Sequence, residues 1–134
     1  MDSRALDSAR PAPPVIIQGG MGVGISNWRL ARTVSRLGQL GVVSGTALDQ
    51  LLARRLQDGD AGGHMRRALE RFPDQPMAER VWDTYYIPGG RDARQAYRLP
   101  PVQEKDDPRP LVELRVVANF VEVFLAREGH DGLV

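Results

Sequence analysis

The residues with the clearest chemical meaning are Gly19, Gly20, Gly22 and Gly24, four glycines within six positions, set directly after Val15-Ile16-Ile17-Gln18. An apolar run that opens into glycines reads as a buried strand ending at a turn. The carboxyl ends of parallel strands are where α/β enzymes hold ligands. Glycine there lets a flat or charged ligand lie against bare backbone. A second run, Leu40-Gly41-Val42-Val43-Ser44-Gly45, also ends in glycine and puts Ser44, Gly45 and Thr46 at its end.

Three devices use such a turn, and spacing separates them. The dinucleotide pattern G-x-G-x-x-G fails, because the sixth position is Ile25 when counted from Gly20 and Asn27 when counted from Gly22. A P-loop needs a lysine closing the turn, and the only lysine is Lys105. The third device is the floor of a flavin site, where the strand end packs beneath the ring and the phosphate is gripped elsewhere. It survives.

The elements that must position these residues follow from the pattern. After the strand Val15 to Gln18, Ser26 stands as an N-cap, and Leu30, Ala31, Val34 and Leu37 fall at helical spacing with Gly38 as the stop. Strand, helix and strand in this order predict a parallel βαβ unit, apolar on both faces. Thr46 and Asp49 form a T-x-x-D capping box for a helix carrying Leu48, Leu52 and Leu56, ended by Asp58-Gly59-Asp60. Two short helical stripes follow, Met65 to Phe72 and Met77 to Tyr85, and then Arg91 to Pro110 is polar with four prolines. Leu114, Val117, Ala118, Val121, Phe124 and Leu125 share a helical face, although the β-branched content leaves a strand at Val112 to Val117 open.

Ile16-Ile17-Gln18-Gly19-Gly20-Met21-Gly22, then a helix, then Leu40 to Gly45, resembles the opening of the nitronate monooxygenases, formerly called 2-nitropropane dioxygenases. The resemblance covers about the first fifty residues. It departs at Gly19 and Gly20, where Ala and Pro are usual, so a looser turn is expected. It implies an FMN-dependent TIM barrel that oxidises alkyl nitronates with oxygen, or reduces enoyl thioesters in a related branch. Carried over by position, Gly19, Gly20, Met21 and Gly22 lie against the flavin, and Ser44, Gly45 and Thr46 share that rim by topology. No catalytic residue and no metal ligand is assigned. The cofactor supplies the redox chemistry, and the protein orients it.

The expected fold class is therefore α/β: the first βαβ unit of a (β/α)8 TIM barrel followed by a mainly helical insertion, with the barrel incomplete. The domain reading is a flexible arm over 1–13, a βαβα start over 14–58, a helical and Pro-rich insertion over 59–110, and a helix leading into a truncated third strand over 111–134. A full barrel takes about 250 residues, so 134 residues are expected to be one part of such an enzyme, inactive alone. An unfinished sheet also invites self-association through unpaired strand edges. The alternative function is a non-catalytic helical interaction domain, with Gly59 to Arg127 as its working part.

Other candidates have two readings each. Glu128-Gly129-His130-Asp131-Gly132 resembles the family's G-G-H-x-G motif, but His130 follows an amphipathic helix, where a loop histidine is the better reading. His64, after Gly62-Gly63, is a ligand or a solvated helix-start residue. Trp82, Tyr85 and Tyr86 stack on a ring or fill a core. Arg54-Arg55 and Arg66-Arg67 bind an anion or form a solvated face. With 18 basic and 17 acidic residues, charge gives no case for nucleic acid or an anionic membrane. There are no cysteines, which excludes disulfides and thiolate metal sites, and no apolar leader or span is visible, so a cytoplasmic location is expected.

Overall fold

The computed structural model describes residues 13–102 and 104–134. The arm expected over 1–13 lies outside the described residues, save Pro13. Five helices form in chain order: α1 (Trp28–Arg36), α2 (Leu48–Gln57), α3 (His64–Leu69), α4 (Gln75–Tyr85) and α5 (Arg109–Arg127).

The longest helix, α5, organises the rest. Leu114, Val117, Ala118, Val121 and Leu125 recur at three- and four-residue spacing, which gathers them on one buried face. That face packs against all four other helices. Into it come Trp28 and Ala31 from α1, Leu52 and Leu56 from α2, Met65, Ala68 and Leu69 from α3, and Ala78 and Val81 from α4. The helical spacing of these apolar side chains prevails over the β-propensity of Val112, Val116 and Val117, so Val112 to Val117 lies within the helix. Propensity is a weak prior beside the burial of a full stripe.

The expected α/β class is corrected here. The described residues contain five helices and no sheet, and their β-pairing is a single parallel bridge between Ile17 and Leu40. Among the described residues no βαβ unit of a TIM barrel is present. Parallel strands persist where both faces are covered, yet Val15, Ile16 and Ile17 are 91%, 60% and 63% exposed. The helices bury their stripes on one another instead. The third strand expected near the C-terminus is reduced to one hydrogen bond, from the Gly41 N–H to the Leu133 carbonyl at 3.1 Å.

Two caps also differ from expectation. Asn27, not Ser26, caps α1, its side-chain oxygen accepting from the Arg29 and Leu30 N–H groups. Ser26 is buried and used elsewhere. No capping box opens α2: its N-cap is Ala47, in left-handed backbone at φ 51°, while the Asp49 carboxylate accepts from the Gln50 N–H and from Arg115. The polar stretch after α4 is held to α2 by Gln57, whose amide donates to the Arg98 carbonyl and accepts from the Arg98 N–H. Gly41 admits α1 to the second extended run, since a Cβ there would collide with the Ala31 carbonyl group.

Candidate functional site

Gly19 to Gly22 is built on one buried hydroxyl. Ser26, 1% exposed, donates its hydroxyl to the Gly19 carbonyl (3.1 Å) and accepts from the Met21 N–H (2.9 Å) and the Gln18 side-chain amide (2.9 Å). One donor and two acceptor positions are all a hydroxyl has. Gln18 is equally committed: its amide nitrogen also reaches the Gly19 carbonyl at 2.7 Å, and its oxygen accepts the Val42 N–H at 3.1 Å. The turn is therefore pinned from below by two polar side chains.

Ser26 also joins the two candidate segments. Its backbone carbonyl accepts the Ser44 N–H at 2.9 Å, so the Gly19–Met21 turn and the end of the second run meet at one residue. Ser44 is buried and its hydroxyl lies 3.3 Å from the Thr46 hydroxyl and 3.4 Å from the Thr46 N–H, which closes a small loop around Gly45. Gly19, Gly20, Met21, Gly22, Ser44, Gly45 and Thr46 thus form one connected region. Gln18 and Ser26, which hold it together, are the residues that sequence reasoning missed as site residues. A polar residue ending an apolar run, and a serine just before a helix cap, were the available signals.

The space above the glycines is open. A Cβ placed on Gly19 or Gly22 would meet nothing within 4 Å, and one on Gly20 would only touch the Val42 side chain at 3.8 Å. These three glycines do not have left-handed backbone, unlike Gly24 at φ 72°. Their lack of a side chain therefore leaves bare backbone rather than relieving strain. The side chains that hydrogen-bond the Gly19–Met21 turn, Gln18 and Ser26, are uncharged.

The other candidates are absorbed by packing. His130 accepts the Gly132 N–H on Nδ1 (3.1 Å), which leaves Nε2 as the donor to the Ala126 carbonyl (2.7 Å), so it finishes α5. His64 packs against Trp28 in a tilted arrangement with ring centroids 5.1 Å apart and meets Arg67 through Nδ1. Burial first, and then the Arg67 and Arg29 charges, hold its pKa below the ordinary value. Trp82 and Tyr86 stack on each other at 3.9 Å, and burial raises the Tyr85 phenol. Arg55 and Arg67 are bonded to Glu122 and Glu128, Arg66 lies 4.0 Å from Glu70, and Arg54 lies over Tyr97. Neither arginine pair is a free anion site. Among the described residues no cluster of His, Asp and Glu could hold a metal ion.

A cavity of about 600 Å³ lies between α4 and the start of α5, lined by Arg80, Tyr85, Arg109 and Glu113. Both of its arginines are already bonded to Glu113, and it shares no residue with the glycine turn. Comparison of the chain with protein-family models, with curated proteins and with solved structures gave no match. Among the described residues, no helix is long and apolar enough to cross a membrane.

Proposed function

We propose that this chain supplies one wall of an FMN site in an oxidoreductase of the nitronate monooxygenase type. The observation that carries the reading is the turn at Gly19 to Gly22, bare of side chains at Gly19, Gly20 and Gly22 and tied through Ser26 to Ser44. When bound, FMN supplies the electron transfer by which an alkyl nitronate is oxidised with oxygen. The chain's own part is to seat the ring against Gly19, Gly20, Met21 and Gly22, with Ser44, Gly45 and Thr46 at its rim. Enoyl-thioester reduction is the related chemistry that the same wall would serve. The cytoplasm is the proposed location, with which the cysteine-free sequence is compatible.

Exposure of Val15, Ile16 and Ile17 supports the same reading, because a ring site on this turn needs further backbone beside them. The proposed wall is accordingly inactive alone. A second reading, a helical interaction domain, draws on Val112, Val116 and Val123, which stand exposed along α5. Titration of the chain with FMN and with lumiflavin, the ring without its phosphate, separates the two. The flavin reading expects weak, saturable and equal binding of both, with no turnover of a nitronate. Absence of saturable binding by either compound would remove it and leave the interaction domain.

A further inference from the structure

His64 sits where α1, α3 and the end of α5 meet, among charged neighbours. From α1 come Trp28, against whose ring it packs, and Arg29, whose guanidinium lies 4.3 Å from the Trp28 ring centroid. Arg67 of α3 reaches His64 Nδ1 at 3.1 Å, while Asp60 faces it from the turn before α3 and Glu128 from the end of α5. A guanidinium can only donate, so Nδ1 is the acceptor and the ring is neutral, with its proton on Nε2. Neither carboxylate is free for an imidazolium. Asp60 accepts the Met65 and Arg66 N–H groups, and Glu128 takes two bonds from Arg67, at 2.6 and 2.9 Å. A proton on Nδ1 would therefore set His64 donor to donor against Arg67, with Arg29 as a second cation nearby.

The opposite state has support of its own. Trp28 is 7% exposed, and its indole N–H has no hydrogen-bond partner among the described residues, a buried donor that water would satisfy. His64 follows Gly62 and Gly63, both in left-handed backbone at φ 89° and 66°, so the ring hangs on a link with wide rotational freedom.

We propose that His64 is a proton-sensing latch: neutral, it shields Trp28 and takes the Arg67 hydrogen bond, and protonated, it swings away on Gly62-Gly63 and uncovers the indole at the start of α1. Arg67 stays with Glu128 as His64 leaves, because a bidentate charged pair is the stronger contact. Burial and the Arg67 and Arg29 charges outweigh the Asp60 and Glu128 charges and lower the His64 pKa, so release falls below the ordinary value of 6.5. The closed ring is harder to protonate than the open one, and falling pH accordingly favours the open state. The latch is independent of the flavin reading.

The test is a pH titration of the full chain from pH 8 to pH 5 in a Trp82→Phe background, which leaves Trp28 as the one tryptophan. Trp28 emission, the imidazole ¹H resonances and far-UV circular dichroism are followed together. Emission should move to longer wavelength with the midpoint of the His64 resonance, below 6.5, while circular dichroism stays constant. His64→Gln, whose side-chain oxygen can still accept from Arg67, should abolish the emission change, and His130→Gln should leave it. Arg67→Gln should raise the midpoint by roughly one pH unit, since it removes the opposing charge and frees Glu128. A His64 resonance that titrates with no change in Trp28 emission overturns the latch, as does an emission change that survives in His64→Gln. Loss of circular dichroism at the same midpoint overturns it too, because the acid response is then unfolding of the whole chain.

Discussion

Glu122, in the middle of α5, accepts the backbone N–H of Trp28 at 2.8 Å, the first residue of α1. Its other oxygen takes the Arg55 guanidinium at 2.6 Å, so one carboxylate that is 2% exposed ties α1, α2 and α5 together. The negative charge sits where a helix N-terminus has unpaired donors. Trp28 opens the helix that follows the glycine turn, and so this contact also sets where Ser26 lies.

Removing that carboxylate should be costly. Glu122→Ala leaves the Trp28 N–H and Arg55 without their acceptor inside the core, for which about 3 kcal/mol of lost stability is expected. Glu122→Gln keeps an oxygen for the Trp28 N–H and should lose less than half of that. Urea denaturation measures both, and equal stability of Glu122→Ala and wild type would refute the role.

Acid should act through Glu128. Its carboxyl is held below the usual range, chiefly by the hydrogen bond from Arg67, which outweighs the upward push of burial, and further by the Arg67 and Arg32 charges. A folded pKa below the unfolded one means the unfolded chain binds the proton more readily. The Glu128 contribution is therefore fully present above the unfolded value of 4.5 and is lost as pH falls through the folded value. Denaturation midpoints measured from pH 7 down to pH 3 should fall less steeply in Glu128→Gln than in the wild type. Parallel profiles would show that the Arg67 bond does not persist in solution.

Glycine substitutions should separate packing from binding. Gly41→Ala drives a Cβ into the Ala31 carbonyl of α1, backbone that cannot swing aside, and about 2 kcal/mol of destabilisation is expected. Gly22→Ala meets nothing within 4 Å and needs no left-handed backbone, so its melting temperature should match the wild type. Its affinity for lumiflavin should fall, because the added methyl occupies the space proposed for the ring. Loss of stability in Gly22→Ala, or unchanged ring binding, contradicts this division.

The helical half of the molecule was legible because its signal is periodic. Leu114, Val117, Val121 and Leu125 state the buried face of α5, and Leu52 and Leu56 state that of α2. The sheet was misread for a physical reason. Val15-Ile16-Ile17 and Leu40 to Val43 are apolar on both faces, the pattern of covered parallel strands, but composition does not say whether the covering layers exist. Here the second run is covered by α1 and the helical core, the first is exposed, and one bridge at Ile17 is what forms. The glycines at 19, 20 and 22 could be read as a turn. Its fastening by Ser26 could not, because a serine's hydrogen bonds to residues five and seven positions back leave no periodic trace.

The exposed edge makes the last prediction. In the parallel bridge, Leu40 donates to the Ile16 carbonyl and accepts the Gln18 N–H, which turns the Ile17 N–H and carbonyl to the opposite side, where they meet no group among the described residues. The Val15 and Ile16 N–H groups are capped by the Gln39 side chain, so the open stretch centres on Ile17. Its apolar surroundings continue through Met21, Val23 and Ile25, all more than 40% exposed. Unpaired backbone flanked by exposed apolar side chains is a template for pairing with another chain. The isolated protein should therefore associate with itself as its concentration rises, and Ile17→Lys should suppress this by placing a charge on the open edge. Sedimentation velocity over a concentration series decides the matter. A wild type that stays monomeric to its solubility limit rejects the edge as an association surface, and association undiminished in Ile17→Lys assigns it to another face, with the exposed valines of α5 next in line.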